Sequence, residues 1–298
     1  MTYTSAFKTP AGEAAYLEAY EAAMNLWPVA FKEIEIPTRF GMTHVVISGP
    51  RDAPPLVLLH GQLGTLTMWT PNIADFSKDY RVYAIDVMGQ PGKSIPDPDQ
   101  PIRDAADFNA WLSATLNGLN LDRFSLVGQS YGGWLSLNFA MNAPERVRKL
   151  ALLSPAASFQ PIARQFNLRA MPMFLLPTRL TVNSYMGWLG LKDTPSDKVP
   201  RRLLDLMYLG LKHFRLSPVT ARILPTVFSD EELRALRVPV LLLIGENDVM
   251  YDAAEALARA RRLIPDFTGE LIPNCGHEMC GSQSRVVDTC VLDFLNDK

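Results

Sequence analysis

Short β-branched and leucine runs, bounded by Gly, Pro and Asp, alternate along this chain with longer stretches whose apolar residues recur at three- and four-residue spacing. That alternation constrains the fold more than any other feature, because it implies a mostly parallel sheet covered by helices. Eight strands are expected, at 31–36, 43–48, 56–59, 82–85, 124–127, 150–153, 240–244 and 269–272. The first two interleave polar residues and read as an antiparallel start. The later ones are nearly all apolar, as strands buried on both faces must be. Helices fit 105–119, 131–142, 253–263 and 282–295, and in the last of these Val286, Val287, Cys290, Val291 and Phe294 form one docking stripe.

The rhythm breaks once. From 157 to 229 there is no convincing strand, only helical stretches rich in Leu, Met and aromatics, punctuated by Pro161, Pro172, Pro177, Pro195, Pro200, Pro218 and Pro225. A structureless connection of that length is foreign to a compact domain. The segment 157–229 is therefore expected to be a helical cap, inserted into a core domain formed by 1–156 and 230–298. A further helix near the start, about 11–26, has the choice of packing on the core or on the cap.

Composition narrows the partners. The chain has 298 residues, 48% hydrophobic and 20% charged, far from the profile of disordered chains. Lys plus Arg number 29 and Asp plus Glu 31, a formal charge of −2, so a nucleic-acid or anionic-membrane partner has no electrostatic support and neither is expected. The longest apolar runs fall far short of the ~20 residues of a membrane span, and the segment 1–10 lacks the apolar stretch of a secretion signal. Cys275, Cys280 and Cys290 are an odd number clustered near the end. They read as reduced thiols in a cytoplasmic protein.

The sharpest local signal is Gly128-Gln129-Ser130-Tyr131-Gly132-Gly133, between the apolar run 124–127 and the helix 131–142. A serine that attacks a carbonyl must project from a tight strand-to-helix turn, and glycines two positions to either side remove the side chains that would collide there. Its hydroxyl needs a base, and imidazole is suited to neutral pH. Of four histidines, His277 lies just past the last strand, where a loop leans over the sheet's C-terminal edge. His60 reads as a buried brace for its loop, His44 sits in an early strand and His213 in the expected cap.

The imidazole in turn needs a carboxylate to fix its tautomer. Gly245-Glu246-Asn247-Asp248 follows the run 240–244 and puts Asp248 at the same edge, with Glu246 and Asp252 as competitors; Asp252 suits the N-cap of the helix from Ala253. Ser154-Pro155-Ala156-Ala157, after the preceding strand, holds no rival acid. Two backbone N–H groups are expected to hold an oxyanion, that of Tyr131 at the helix start and that of Gln62 in His60-Gly61-Gln62-Leu63-Gly64.

The chain order Ser130, Asp248, His277 is that of α/β-hydrolases, and further motifs agree with it. Asp86-Val87-Met88-Gly89-Gln90-Pro91-Gly92-Lys93-Ser94 and Asn142-Ala143-Pro144-Glu145-Arg146-Val147 stand where that family carries its connecting loops. The chain thus resembles the α/β-hydrolases over nearly all its length except the cap and the opening helix. Over Met68-Trp69-Thr70-Pro71-Asn72-Ile73-Ala74-Asp75-Phe76 and the Asp86 stretch it is similar to small bacterial carboxylesterases, with a looser resemblance to esterases that open macrolide lactones. Position 130 is Ser where dehalogenases and epoxide hydrolases carry Asp, and His60-Gly61 lacks the triple-glycine extension of hormone-sensitive-lipase-like esterases.

The resemblance implies an α/β-hydrolase fold, with a mostly parallel eight-stranded sheet, that cleaves a small-molecule ester or lactone through an acyl-enzyme without a cofactor. Met171, Met173, Phe174, Tyr185, Met186, Trp188, Met207 and Tyr208 offer adaptable apolar surface in the cap. Cys275, His277 and Cys280 lack the further ligands of a zinc site, so no metal is expected. The same triad on this fold also serves C–C bond hydrolases and perhydrolases, and a slow-turnover ligand receptor would carry it too.

Overall fold

The computed structural model describes residues 5–191, 198–217 and 220–297. In chain order the elements are α1 (Pro10–Met24), β1 (Phe31–Thr38), β2 (Gly41–Ser48), β3 (Pro55–Leu59), α2 (Ile73–Asp79), β4 (Arg81–Ile85), β5 (Ile95–Pro96), α3 (Ala105–Gly118), β6 (Phe124–Gln129), α4 (Tyr131–Asn142) and β7 (Val147–Leu153). There follow α5 (Arg164–Leu175), α6 (Arg179–Leu189), α7 (Lys198–His213), α8 (Asp230–Ala235), β8 (Val240–Gly245), α9 (Ala253–Leu263), β9 (Phe267–Ile272) and α10 (Ser284–Asn296).

One sheet runs in the order β1-β2-β4-β3-β6-β7-β8-β9. The pairings of β2 with β1 and β4 are antiparallel, and all pairings from β4 through β9 are parallel. A two-residue ninth strand, β5, joins β2 beside this path; it is too short to leave a periodic signal. β9 also departs from expectation. It starts at Phe267, and as an edge strand it alternates between half-buried and exposed positions instead of being covered on both faces.

Alternation along the interior strands sorts the core into two layers. Val57, Leu59, Leu126, Leu150, Leu152 and Leu242 face α3, α4, α8 and α9, whereas Leu56, Leu58, Val127, Ala151 and Leu241 face α1, α2 and α10. The opening helix α1 starts on a Thr9 cap with Pro10 in its first turn. It packs on both candidates: the Tyr20 hydroxyl donates to Asp86 in the core, and a β-carbon at Gly12 would lie 2.6 Å from Nδ1 of His213 on α7. Helices α5 to α8 lie in the connection between β7 and β8, and α5 and α6 enclose an apolar cluster with Ala170, Met173, Val182, Tyr185 and Met186.

The strand order reverses near the middle of the sheet. The chain steps from β3 to β4 on one side and then crosses to β6 on the other, so the C-terminal ends of β3 and β6 are neighbours with loops that diverge. Such a reversal opens a crevice beyond the strand ends, where α/β sheets bind ligands.

Candidate active site

Ser130 stands between β6 and α4 with φ 52° and ψ −114°, a strained conformation for a residue with a side chain. The strain is held by its surroundings. Its N–H donates to the Leu153 carbonyl (2.9 Å), and its own carbonyl accepts from Trp134 and Ala156 N–H. A β-carbon at Gly128 would lie 2.3 Å from the Gly132 carbonyl oxygen, and one at Gly132 would lie 2.3 Å from that of Leu59. Both positions therefore exclude any side chain, which is the packing reason for the motif read in the sequence.

Past β8, the Asp248 N–H turns back to the Gly245 carbonyl, and Asn247 N–H reaches Cys275 O across the neighbouring loop (2.8 Å). These two loops bring an acid and an imidazole together. His277 Nδ1 lies 2.9 Å from Asp248 Oδ2 and 3.2 Å from Oδ1, and its Nε2 lies 2.9 Å from Ser130 Oγ. Because an ionised carboxylate only accepts, Nδ1 carries the proton and Nε2 is left to accept from the serine. Burial pushes the Asp248 carboxyl up, but the adjacent His277 and the Met250 N–H outweigh it and hold it below the ordinary carboxylate range.

The competing acids are elsewhere. Glu246 is exposed and accepts from Asn274 N–H, and Asp252 caps α9 through Glu255 N–H. Glu278, next to His277, is buried; burial pushes its carboxyl up, and one of its oxygens accepts from Gly281 N–H (3.0 Å).

Gln62 and Tyr131 both border the same cavity as Ser130, and among the described residues neither backbone N–H has an acceptor. Gly61 lets the two loops meet, since a β-carbon there would lie 2.5 Å from Gln129 Oε1 and 3.4 Å from Ser130 Cβ. The loop is pinned from behind. His60 Nδ1–H donates to Gly61 O (2.8 Å) while its Nε2 accepts from Val87 N–H (2.9 Å), and Leu63 N–H donates to Gln90 Oε1 (3.0 Å).

Sequence reasoning missed a buried charge cluster beneath this loop. Asp86 accepts from Leu66 N–H at one oxygen, and from the Tyr20 hydroxyl, Lys93 N–H and His44 Nδ1–H at the other. His44 Nε2 meets Glu33 at 2.8 Å. The crowding of Asp86 by Gly92, where a β-carbon would lie 2.7 Å from the carboxyl carbon, explains the glycine in the 86–94 motif. That glycine was the available signal.

Above Ser130 lies a cavity of about 410 Å³. Of the apolar residues singled out between 157 and 229, Met173, Phe174, Tyr185, Met186 and Met207 line it. Met171 is exposed, and Trp188 and Tyr208 stand outside the lining. Phe166, not singled out, approaches the His277 ring edge-on at 6.0 Å. Among the described residues, no three His, Cys, Asp or Glu side chains are grouped to hold a metal ion, and no helix is long and apolar enough to cross a membrane.

Sheet order, elbow and loops define an α/β hydrolase. Residues 54–191 match the alpha/beta hydrolase fold family, and the chain belongs to it. It is similar to two proteins of Bacillus subtilis (strain 168). One, described as the uncharacterized carboxylesterase nap, is 40% identical over 281 residues, 94% of this chain and 92% of that one. The other, carboxylesterase YbfK, is 37% identical over 281 residues, 94% of this chain and 93% of that one. The crystal structure of naproxen esterase (carboxylesterase NP) from Bacillus subtilis superposes with a TM-score of 0.88 at 38% identity, covering 97% of this chain and 100% of that chain.

Proposed function

We propose that the protein is a carboxylic-ester hydrolase working through an acyl-enzyme, with Ser130, His277 and Asp248 as its triad. The observation that carries this reading is the continuous path from Ser130 Oγ to His277 Nε2 (2.9 Å) and from Nδ1 to Asp248 (2.9 Å). The two similar proteins described as carboxylesterases support the ester class.

In this mechanism His277 Nε2 takes the Ser130 proton as Oγ bonds to the ester carbonyl carbon. The carbonyl oxygen becomes an oxyanion held by the N–H groups of Gln62 and Tyr131, donors worth about 3–4 kcal/mol each in the transition state. The imidazolium returns its proton to the departing alkoxide, which leaves as the alcohol. Water then attacks the acyl group, giving its proton to His277, and collapse releases the acid and restores the serine. The segment 157–229 acts as the cap that shapes the pocket. A cavity of about 410 Å³ lined by Met, Leu and aromatic side chains fits an apolar ester or lactone of moderate size. Three unpaired cysteines, two of them buried, suit a cytoplasmic setting.

Turnover of p-nitrophenyl butyrate and covalent labelling by a fluorophosphonate test the reading. Both are expected to vanish in Ser130→Ala; a variant that still turns over and still labels overturns the assignment. Tight binding of esters without repeated turnover by the unaltered chain would favour a receptor instead.

A further inference from the structure

The overall charge of −2 conceals a local asymmetry. Between Gln160 and Leu191 the sequence holds Arg164, Arg169 and Arg179 but no Asp or Glu. Arg179 is paired with Asp205 on α7, whereas among the described residues Arg164 and Arg169 are exposed without a carboxylate partner. The same helices expose Leu168, Met171, Leu175, Leu176 and Leu180, the last to 79%. Leu168, Met171 and Leu175 recur at three and four residues and so form one outward stripe on α5, while Ala170 and Met173 point inward. Leu180 and Leu168 border a shallow groove between α5 and α6 that also holds Arg169. The apolar surface continues to the substrate cavity, whose rim includes the exposed Phe174, Leu224 and Val227.

Exposed apolar area on this scale marks a place of interaction. We propose that the outer face of α5 and α6 docks on an anionic phospholipid surface, with its leucines at the acyl boundary, Arg164 and Arg169 against lipid phosphates, and the cavity mouth facing the interface. Charge selects this occupant. A two-fold contact with a second copy would set Arg164 and Arg169 against their own counterparts, whereas an apolar stripe flanked by arginines on helices that carry no Asp or Glu is the pattern of interfacial helices. Delivery of bilayer-dissolved esters to Ser130 rests on the esterase function proposed for the site; the docking does not.

The test is flotation of the full chain carrying Ser130→Ala with phosphatidylcholine vesicles and with equimolar phosphatidylcholine–phosphatidylglycerol vesicles. The protein is expected to float with the mixed vesicles, less as salt is raised, and not with phosphatidylcholine alone. Leu175→Ser with Leu180→Ser should weaken binding at least about tenfold, and Arg164→Gln with Arg169→Gln roughly fivefold per arginine. These four residues lie outside the cavity lining, so in the otherwise unaltered chain the same changes leave p-nitrophenyl butyrate hydrolysis intact, which verifies folding. The proposal is overturned by absence of flotation, by equal flotation with both vesicles, by indifference to the substitutions, or by a solution dimer that Leu175→Ser with Leu180→Ser dissociates. Loss of the esterase reading with flotation intact leaves the docking standing.

Discussion

Replacing His44 with asparagine should destabilise the fold by about 3 kcal/mol near neutral pH, with a difference that shrinks as the solution becomes alkaline. The imidazole is 3% exposed and lies between Asp86 Oδ2 at 3.0 Å and Glu33 Oε2 at 2.8 Å. Burial alone pushes its pKa down, but the two carboxylates more than reverse this and raise it from 6.5 to about 9. At 1.36 kcal/mol per pH unit, that displacement corresponds to about 3 kcal/mol. The folded state binds the proton more tightly than the unfolded chain. The stabilisation is therefore complete below about pH 6.5 and is lost as pH rises through about 9. Above that range the parent protein has itself given up the charge, and only the packing and hydrogen bonds of the ring separate it from the variant. Urea unfolding of both proteins at intervals between about pH 6 and 10 measures the difference directly. A difference that stays flat across the interval, or grows with pH, refutes the assignment of a buried imidazolium.

Three further outcomes are expected from the same geometry. Asp248→Asn presents an N–H to Nδ1 and favours the wrong tautomer, so kcat for p-nitrophenyl butyrate should fall by about 10⁴-fold with KM little changed. Gln90→Ala releases the Leu63 N–H that Gln90 Oε1 holds at 3.0 Å; looser placement of the Gln62 donor should lower kcat roughly tenfold at similar KM, as steady-state kinetics would read. Asp288 on α10 is pushed up to about 7, chiefly by burial, so stability is fullest below the ordinary carboxylate pKa and declines as pH rises through about 7. Asp288→Asn removes that decline, and thermal melts should show it gaining on the parent protein between about pH 5 and 8.

What could be read in the sequence depended on how local each constraint is. The interior strands were legible because burial on both faces demands unbroken apolar runs, whereas β5 needs only two residues, and β9 was legible only from Gly269 because at the sheet edge its alternate positions face solvent. The Ser130 elbow packs its whole steric requirement into a few consecutive residues. His277 and Asp248 followed from the order of strand ends, and the structure brings both within hydrogen-bond distance of the path to Ser130. Of the Asp86 cluster, only Gly92 left a local trace. Tyr20, Glu33, His44 and Asp86 meet only after α1 docks and β2 pairs with β4. Likewise, helical content between β7 and β8 was visible, but which aromatic side chains face the cavity was not. Trp188 packs at a tilt against Phe166 and Tyr185, and Phe166 lies beside His277.

Three histidines near this sheet edge show how surroundings assign chemistry to one residue type. His60 spends both ring nitrogens on backbone partners, and burial lowers its pKa, so it is a neutral brace with no nitrogen free for a proton transfer. His44 has a carboxylate at each nitrogen and is held charged, which suits it to neutralise Asp86 and unsuits it as a base. His277 alone has a carboxylate at one nitrogen and a hydroxyl at the other. Only that asymmetry lets a ring accept a proton while its charge is compensated from behind. The brace and the charged pair serve it from a distance. Val87 N–H to His60 and Leu66 N–H to Asp86 tie the loop carrying Gln62 to the end of β4. The loop that carries the proposed oxyanion donor is thereby held in place, as stabilisation by preorganised dipoles would require.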